Sequence, residues 1–324
     1  MLSVRLIDNW QQPHWHQVIK AISQNTLPHA MLLSGVEGLG KYFFAKHLVH
    51  QLHCLDPHDD FYCGRCRPCK AIAQEQYPDH LEVTLSEGSQ VLSIDQIRHV
   101  NDFLSQTPHD GQRQTVIIRY ADQMHHAAAN ALLKTLEEPM GEAFLILLDN
   151  QNKPLLPTIY SRLQCYDFNH TVSMNDFQDL ESTHNKPRQL IYGLLAGAPL
   201  KAGDLSLRIK LRDLLLEDLQ ALAQRKVDMA ALVGRWLKED LVLLADIWIG
   251  VVSDLLKIHG NCDSTFLLHS DREAEIFALA HEFEESFMLD MSDCLLTFKS
   301  SLISGCNLNK ETLLHQIFWR WYRV

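Results

Sequence analysis

Apolar and polar positions follow different patterns in the two halves of this 324-residue chain. In the first half, short apolar runs alternate with amphipathic stretches, which predicts strands that alternate with helices. The strand candidates are 30–34, 81–85, 115–120 and 143–148, and the helix candidates are 42–52, 94–104 and 127–138. Ser93 is predicted to cap the second of these helices and Pro139 to end the third. Because such alternation is typical of a parallel sheet covered on both faces, we expect an α/β domain to about residue 168.

The second half carries a helical pattern. From 175 to about 203 it consists of short pieces broken by prolines and glycines, which predicts a small helical domain with tight turns. One helical stripe follows at Leu211, Leu214, Leu215, Leu219 and Leu222. The stretches 236–256 and 294–302 continue this all-helical character. The aromatic residues at 318–322 favour a core or a subunit contact over a binding anchor.

The net charge of −11 argues against a protein that grips nucleic acid over a broad basic face. A protein partner is favoured over naked DNA. The first residues lack the apolar core of a signal peptide, and the most apolar later stretch, 241–255, is interrupted by Asp246 and Asp254. These features indicate a soluble cytoplasmic protein.

Four of the eight cysteines are crowded into one segment, Cys54-x8-Cys63-x2-Cys66-x2-Cys69. Two successive C-x2-C steps bring sulfurs within reach of one centre, and a fourth cysteine upstream can complete a tetrahedral thiolate site for Zn²⁺. An iron–sulfur cluster uses similar spacing and is the alternative, whereas disulfides are disfavoured in a reducing cytoplasm. We expect a structural zinc in this module at 54–69, because four thiolates leave no open position for water.

The segment 35–42 has the spacing of a phosphate-binding loop, with Gly35, Gly40 and Lys41 in place. Tyr42 stands where a serine or threonine would hold Mg²⁺, and its phenol cannot replace that short hydroxyl at the start of a helix. A glycine-rich turn that caps an ordinary helix is the alternative interpretation. We expect a degenerate phosphate loop without hydrolysis, in which Lys41 leaves passive nucleotide binding open.

The string Asn-Ala-Leu-Leu-Lys-Thr-Leu-Glu-Glu-Pro, at 130–139, resembles the AAA+ clamp-loader ATPase family of bacterial DNA polymerase III. The phosphate loop, the four-cysteine insertion, this helix and the segment 156–162 occur in that family's order. These motifs cover about half of the chain, and the helical remainder agrees in kind only. The resemblance implies a three-domain fold: an AAA+ ATPase-like domain at 1–168, a helical lid at 169–206 and an all-helical collar for oligomerisation at 207–324.

Several positions depart from the hydrolysing members of that family. Arg119 and Tyr120 fall where those members have an Asp-Glu pair that binds Mg²⁺ and orients water, and Tyr42 replaces the metal-binding hydroxyl. Asp149 falls where a threonine or asparagine senses the terminal phosphate, and Asp122, nearby, is interpreted as a helix cap or a surface acid. Because phosphoryl transfer relies on positioning and charge stabilisation, we expect no ATPase activity of the isolated chain.

Arg162 fits the family better than those positions do. Ser161-Arg162-Leu163 falls where the family has Ser-Arg-Cys, and the resemblance implies that this guanidinium projects into the ATP site of the adjoining motor subunit. An arginine supplied in this way stabilises the transferring phosphoryl group and is worth about 10³ to 10⁵ in rate. A surface arginine paired with a neighbouring acid is the alternative.

The resemblance also implies partners. They are ATP-hydrolysing tau or gamma subunits and a clamp-contacting delta subunit in a heteropentamer that loads the sliding clamp on primer-template DNA. The chain would then be an inactive subunit of a DNA-directed DNA polymerase holoenzyme. Two other interpretations stay open: an autonomous zinc-containing AAA+ ATPase that uses Lys41 and Asp122, and a structural adaptor for which Arg162 is dispensable.

Overall fold

The computed structural model of the protein describes residues 7–58, 60–89, 91–110, 112–138, 141–303 and 309–323. The chain divides into two compact units, Met1–Val172 and Ser173–Val324. The predicted boundaries at 168 and 206 are finer than this division, so the separate lid and collar stay predictions.

The first unit is an α/β fold. Its elements in chain order are α1 (Gln12–Ser23), β1 (Ala30–Ser34), α2 (Lys41–His53), α3 (Arg67–Ala73), β2 (His80–Val83), α4 (Ile94–Leu104), β3 (Gln114–Ile118), α5 (His126–Glu137), β4 (Ala143–Asp149), α6 (Pro157–Tyr160) and β5 (Gln164–Asp167), with 3₁₀ turns at Asn9–Gln11 and Ala121–Gln123. The predicted strands and helices of this half are confirmed to within about two residues at each end, as expected for boundaries read from sequence. Pro139, the predicted end of α5, lies outside the described residues.

The sheet is parallel, with the strand order β2-β3-β4-β1-β5. All residues of β1 and β3 are buried and most of them are apolar, as is typical of strands covered on both faces. β1 lies between β4 and β5, and its last residue, Ser34, pairs with both Asp149 and Asp167. The segments that follow these three strands therefore meet at one edge of the sheet.

Ser93 caps α4 as predicted. Its hydroxyl accepts a hydrogen bond from Gln96 N at 3.3 Å, and Gln96 Oε1 accepts one from Ser93 N at 3.0 Å. This reciprocal capping box satisfies two backbone donors that the first turn of a helix leaves unpaired. The apolar face of α4 packs with α5 and with alternate residues of β1, β3 and β4 in one core cluster.

Within the described residues, every regular element of the second unit is a helix. Its elements are α7 (Gln178–His184), α8 (Arg188–Leu194), α9 (Leu205–Ala223), α10 (Met229–Trp236), α11 (Leu241–His259), α12 (Glu273–Glu282), α13 (Glu285–Ile303) and α14 (Lys310–Arg323), with 3₁₀ turns at Met174–Phe177, Pro199–Asp204, Ser264–Phe266 and Ser270–Arg272. The predicted fold class of both halves is thus confirmed. Of the described helices, none is both long enough and apolar enough to cross a membrane.

The predicted helical stretch 236–256 is divided into two helices in the structure. Asp240 separates them, because its side chain accepts hydrogen bonds from Val242 N at 2.8 Å and Leu243 N at 3.2 Å and so begins α11. At the end of the chain, Phe318 and Trp321 are buried near Trp248, with ring centroids 4.8 and 6.1 Å away. Those two rings belong to the core, as the sequence predicted.

A buried carboxylate fixes the segment between α11 and α12. Asp254 accepts hydrogen bonds from Leu268 N at 2.9 Å and from His269 N and Nδ1, each at 2.8 Å. This brings Leu268 against α8 at Gly193, where an added Cβ would lie 2.8 Å from Leu268 Cβ. Only glycine allows so close an approach, because Cβ of Leu268 cannot rotate away.

We therefore expect Gly193→Ala to destabilise the protein by about 1–3 kcal/mol through overpacking. Gly234→Ala is the matched control: it also lies in a helix, α10, and nothing would lie within 4 Å of its new Cβ. The control should be neutral or stabilising by about 0.5–1 kcal/mol, because alanine favours a helix. Urea unfolding of both variants measures the difference, and equal stabilities would show that the α8 approach imposes no constraint.

Candidate functional site

The segment after β1, predicted as a phosphate loop, contains glycines in backbone conformations that favour glycine. Gly35 and Gly40 have φ angles of 143° and 79°, and a Cβ at Gly35 would lie 2.9 Å from Leu39 Cδ1. Gly40 is the N-cap of α2, so the helix begins at Lys41, one residue before the predicted start. The 3₁₀ turn before α1 also holds the loop, because Trp10 Nε1 and Gln11 Nε2 both donate hydrogen bonds to Leu39 O, at 3.0 and 2.8 Å.

Lys41 is turned back onto its own loop. Its side chain is buried, and Nζ donates hydrogen bonds to Gly35 O at 2.6 Å and to Val36 O at 2.8 Å. In a phosphate-binding loop this ammonium would reach the outer phosphates of a nucleotide. The ammonium is therefore engaged by backbone carbonyls, and a nucleotide would have to displace these contacts.

A chain of polar side chains closes the same edge of the sheet. Val36 N donates to Asn169 Oδ1 at 3.0 Å, Asn169 Nδ2 to Gln151 Oε1 at 3.0 Å, and Gln151 Nε2 to Ser34 Oγ at 3.0 Å. Ser34 Oγ in turn donates to Asp149 Oδ2 at 2.9 Å. The Val36 N–H, one of the loop donors that could meet a phosphate, is thus paired within the chain.

Asp149 lies at the end of β4 beside the loop, where the sequence predicted it. Burial raises the pKa of this carboxyl, although hydrogen bonds from Gln151 N and Ser34 Oγ oppose the rise. Its two oxygens accept from Gln151 N at 2.6 Å and from Ser34 Oγ at 2.9 Å. A carboxylate here would repel the terminal phosphate of a nucleotide that entered the loop.

Tyr42 and Arg119 contact each other directly. The Arg119 guanidinium carbon lies 4.4 Å from the centre of the Tyr42 ring, a cation–π contact. Glu82 holds both, since its Oε2 accepts from the Tyr42 hydroxyl at 3.1 Å and its Oε1 pairs with Arg119 Nη1 at 3.5 Å. Lys46 Nζ lies 3.0 Å from Glu82 Oε2, the oxygen that Tyr42 also contacts. Burial and then Glu82 raise the pKa of Tyr42, which keeps the hydroxyl protonated. Two residues that depart from the metal-binding pattern are therefore packed together.

The interpretation of Asp122 as a helix cap or surface acid is wrong. Asp122 is only 5% exposed, and its Oδ2 accepts a hydrogen bond from Asn152 N at 3.1 Å. It lies in the 3₁₀ turn after β3, so its carboxylate turns inward to hold the segment after β4 and does not bond the turn's own backbone. Tyr120 begins this turn with a φ of 57°, in the left-handed region.

Arg162 follows α6 on the surface of the first unit. Its Nη2 lies 2.5 Å from Glu137 Oε1, and its Nη1 donates to Thr158 O at 2.7 Å. Its side chain is 35% exposed. The structure thus contains the ion pair that the alternative interpretation expected, and the role of this arginine as a finger stays a prediction.

The four clustered cysteines come together as predicted. Their sulfurs all lie within 4.8 Å of one another, so they could hold a metal ion. Cys63 N donates to Cys54 Sγ at 3.2 Å and Cys66 N to Cys63 Sγ at 3.3 Å, contacts that suit thiolate ligands. Gly64 allows this knuckle turn with a φ of 66°.

Two aromatic residues anchor the cysteine knuckle to helices of the first unit. Tyr62 stacks on His50 of α2 with ring centroids 4.4 Å apart, and Phe61 stacks on Trp15 of α1 at 5.7 Å. Such contacts add about 0.5–1.5 kcal/mol each beyond the area they bury. The knuckle is therefore docked by apolar packing as well as by any metal it binds.

Four residues of these sites were not found from the sequence. Asn169 and Gln151 follow the ends of β5 and β4, where polar residues of a parallel sheet converge, and this position was the available signal. Glu82 is an acid within an apolar strand candidate, which marks it as a residue with a buried partner. Nothing in the sequence pairs Glu137 with Arg162, since side-chain contacts 25 positions apart need the fold.

A parallel sheet of this order, with a glycine loop of phosphate-loop spacing after β1 and Tyr42 in place of a metal-binding hydroxyl, defines an α/β protein with a degenerate phosphate-loop sequence. The family model described as "DNA polymerase III, delta subunit" matches residues 10–172, and "DNA polymerase III, delta subunit, C terminal" matches 206–323. The chain belongs to the family of DNA polymerase III delta' subunits, a member of which it matches almost end to end.

That relative, DNA polymerase III subunit delta' of Pseudomonas aeruginosa, is 31% identical over 320 residues, with 96% of each chain covered. The Haemophilus influenzae protein of the same name is 31% identical over 196 residues, which is 60% of this chain and 59% of that one. Among solved structures, a DNA polymerase III gamma subunit-related protein of Thermotoga maritima has a TM-score of 0.40 and 18% identity, and covers 95% of this chain and 98% of its own.

We expect about one Zn²⁺ per chain, with Zn–S distances of about 2.3 Å. Cys66→Ser should lose most of this metal and loosen the knuckle, while the sheet persists on its own apolar strands. Cys262→Ser is the matched control, because Cys262 is exposed and lies outside the cluster. Elemental analysis of protein purified without chelator measures the metal, and limited proteolysis reports the knuckle. Bound iron, no metal, or equal loss in both variants would contradict the assignment.

Proposed function

We propose that this chain is a catalytically inactive subunit of a DNA polymerase III clamp loader that lends Arg162 to the ATP site of a neighbouring subunit. Membership in the delta' family supports the clamp-loading role. The expected partners are a delta subunit and either tau or gamma subunits, which together with this chain would form a heteropentamer. This complex would act in the cytoplasm on the sliding clamp and primer-template DNA.

The observation that carries the inactive state is the contact between Arg119 and Tyr42. Hydrolysis of ATP needs a divalent cation that bridges the outer phosphates. A guanidinium lies 4.4 Å from the ring that replaces the metal-binding hydroxyl, so a positive charge already occupies the neighbourhood where Mg²⁺ would be held. Two cations that close repel each other, and a phenol offers no equivalent ligand.

The loop geometry argues further against bound nucleotide. Phosphates would have to replace the contacts of Lys41 Nζ with Gly35 O and Val36 O, and the hydrogen bond from Val36 N to Asn169 Oδ1. They would also approach Asp149, whose carboxyl is buried beside the loop. We infer that the loop keeps the shape of a phosphate site without binding phosphate.

The position of Arg162 supports a role in trans. It lies on the surface next to a short helix, about 120 residues after the loop at 35–42 in sequence, and neither of its contacts is buried. A guanidinium in such a place can leave its own partners at small cost and reach oxygens of another chain. The four cysteines would hold a structural zinc, and the helices at 207–324 would form the collar.

The two rival interpretations differ in how well the contacts of Lys41, Asp122 and Arg162 fit them. An autonomous ATPase would need Lys41 and Asp122 at a metal–phosphate site, but Lys41 bonds its own loop and Asp122 holds Asn152 N. A structural adaptor without a part in hydrolysis is compatible with the ion pair between Arg162 and Glu137. The variants described below separate this adaptor from a participating subunit.

The isolated chain should hydrolyse no ATP above background and should bind neither ATP nor ADP at millimolar concentration. Lys41→Ala is the control, because it removes the only lysine of the loop and should leave this baseline unchanged. Phosphate release and isothermal calorimetry measure turnover and binding. Steady turnover that disappears in Lys41→Ala would favour the autonomous ATPase.

In assembled complexes, Arg162→Ala should leave assembly intact and lower DNA- and clamp-stimulated hydrolysis. The site beside this chain should lose about 10³-fold or more in rate, and total turnover should fall by that site's share. Arg162→Lys should not rescue fully, because an ammonium lacks the planar fork that contacts two oxygens. Arg98→Ala is the matched control, since Arg98 is an exposed arginine that pairs with Asp95 at 2.9 Å. Unchanged turnover in well-formed Arg162→Ala complexes would identify a structural adaptor.

A further inference from the structure

Two separate segments hold the Arg162 guanidinium. Glu137 Oε1, at the last residue of α5, lies 2.5 Å from Nη2, and Thr158 O, in α6, accepts from Nη1 at 2.7 Å. Ser161 Oγ lies 3.5 Å from the same Nη1. Within the described residues, Arg162 Nε has no hydrogen-bond partner. These contacts use Nη1 and Nη2 and leave part of the five N–H donors of the guanidinium available for a further oxygen.

Glu137 stands where a carboxylate is otherwise unfavourable. It is the last residue of α5, at the negative end of the helix dipole, and another acid, Glu138, follows it directly. A cation is preferred at this end of a helix, so the Arg162 guanidinium supplies the compensating charge. Because the Glu137 carboxylate is unfavourable for its own helix, we infer that its role is to hold Arg162.

The ion pair between Glu137 and Arg162 is weak enough to break when the guanidinium moves to another partner. Glu137 is 50% and Arg162 is 35% exposed at the side chain, and exposed ion pairs of this kind favour the paired state by about fivefold at most. An arginine that stabilises the developing negative charge of a transferring phosphoryl group raises the rate by about 10³- to 10⁵-fold, which is a much larger effect. The carboxylate can thus orient the guanidinium without withholding it.

We propose that Glu137 is a positioning residue, which holds Arg162 extended toward the neighbouring subunit and yields it to the phosphate there as hydrolysis proceeds. This inference rests on the proposed role of Arg162 in trans. Glu137 touches neither nucleotide nor metal, and its effect acts only through Arg162.

The test is a double-mutant cycle in reconstituted complexes with the tau or gamma and delta subunits, with ATP, clamp and primed DNA. Glu137→Gln keeps the shape of the side chain and removes its charge. It should lower the stimulated kcat of the site beside this chain by two- to fivefold at unchanged KM for ATP. In the Arg162→Ala background, Glu137→Gln should have no further effect. Glu138→Gln is the matched control, because Glu138 is exposed and has no ion pair within the described residues.

If Glu137 had a merely structural role, Glu137→Gln would lower the unfolding temperature of the protein. We expect instead that Glu137→Gln unfolds at the same or a higher temperature than the parent protein, because the change removes a charge that opposes the helix dipole. A raised kcat, an unchanged kcat, or an effect that persists without Arg162 would overturn the inference. If Arg162→Ala itself leaves turnover unchanged, the proposed function fails, whatever Glu137→Gln does.

Discussion

The pairing of β1 between β4 and β5 determines where the loop after β1 and the polar residues around it lie. In a parallel sheet all strands end at the same edge, so the register that aligns Ser34 with Asp149 and Asp167 also brings together the three segments that follow. The glycine loop, the segment at Gln151 and the segment at Asn169 become neighbours only through this register. Their hydrogen bonds then fix the loop from the side on which a nucleotide would bind.

The region around Tyr42 and Arg119 contains residues that compensate one another. A lone arginine at the end of β3 would be a partly buried cation without a partner, which is costly. The Tyr42 ring gives it a π face, and Glu82 neutralises it while also accepting the Tyr42 hydroxyl. Each replacement makes the other tolerable, so restoring one metal ligand alone would remove a contact that the other residue uses. The proposed loss of hydrolysis would in this way be built into the packing of the unit.

Much of the fold followed from the sequence because its elements are strongly patterned. The buried strands are almost purely apolar, α4 is capped by Ser93, and the cysteine spacing leaves few geometries. Short elements with weak patterns, such as α1, α3 and β5, were not predicted. The inward turn of Asp122 could not be foreseen, because its partner, Asn152, belongs to another strand's end. Likewise, a motif identified Arg162, whereas only the folded chain pairs it with Glu137.

The hydrogen bonds that close the phosphate loop have a thermodynamic consequence. A protein that binds ATP gains stability with its concentration, by about 2.7 kcal/mol at a hundredfold excess over the dissociation constant. Under the proposed function, a loop whose lysine and Val36 N–H are satisfied within the chain would have no such linkage. The folded population of this subunit would then be independent of the ratio of ATP to ADP in the cell. In the proposed ring, whose other members would respond to that ratio, it would supply an unchanging surface against which their movements are made.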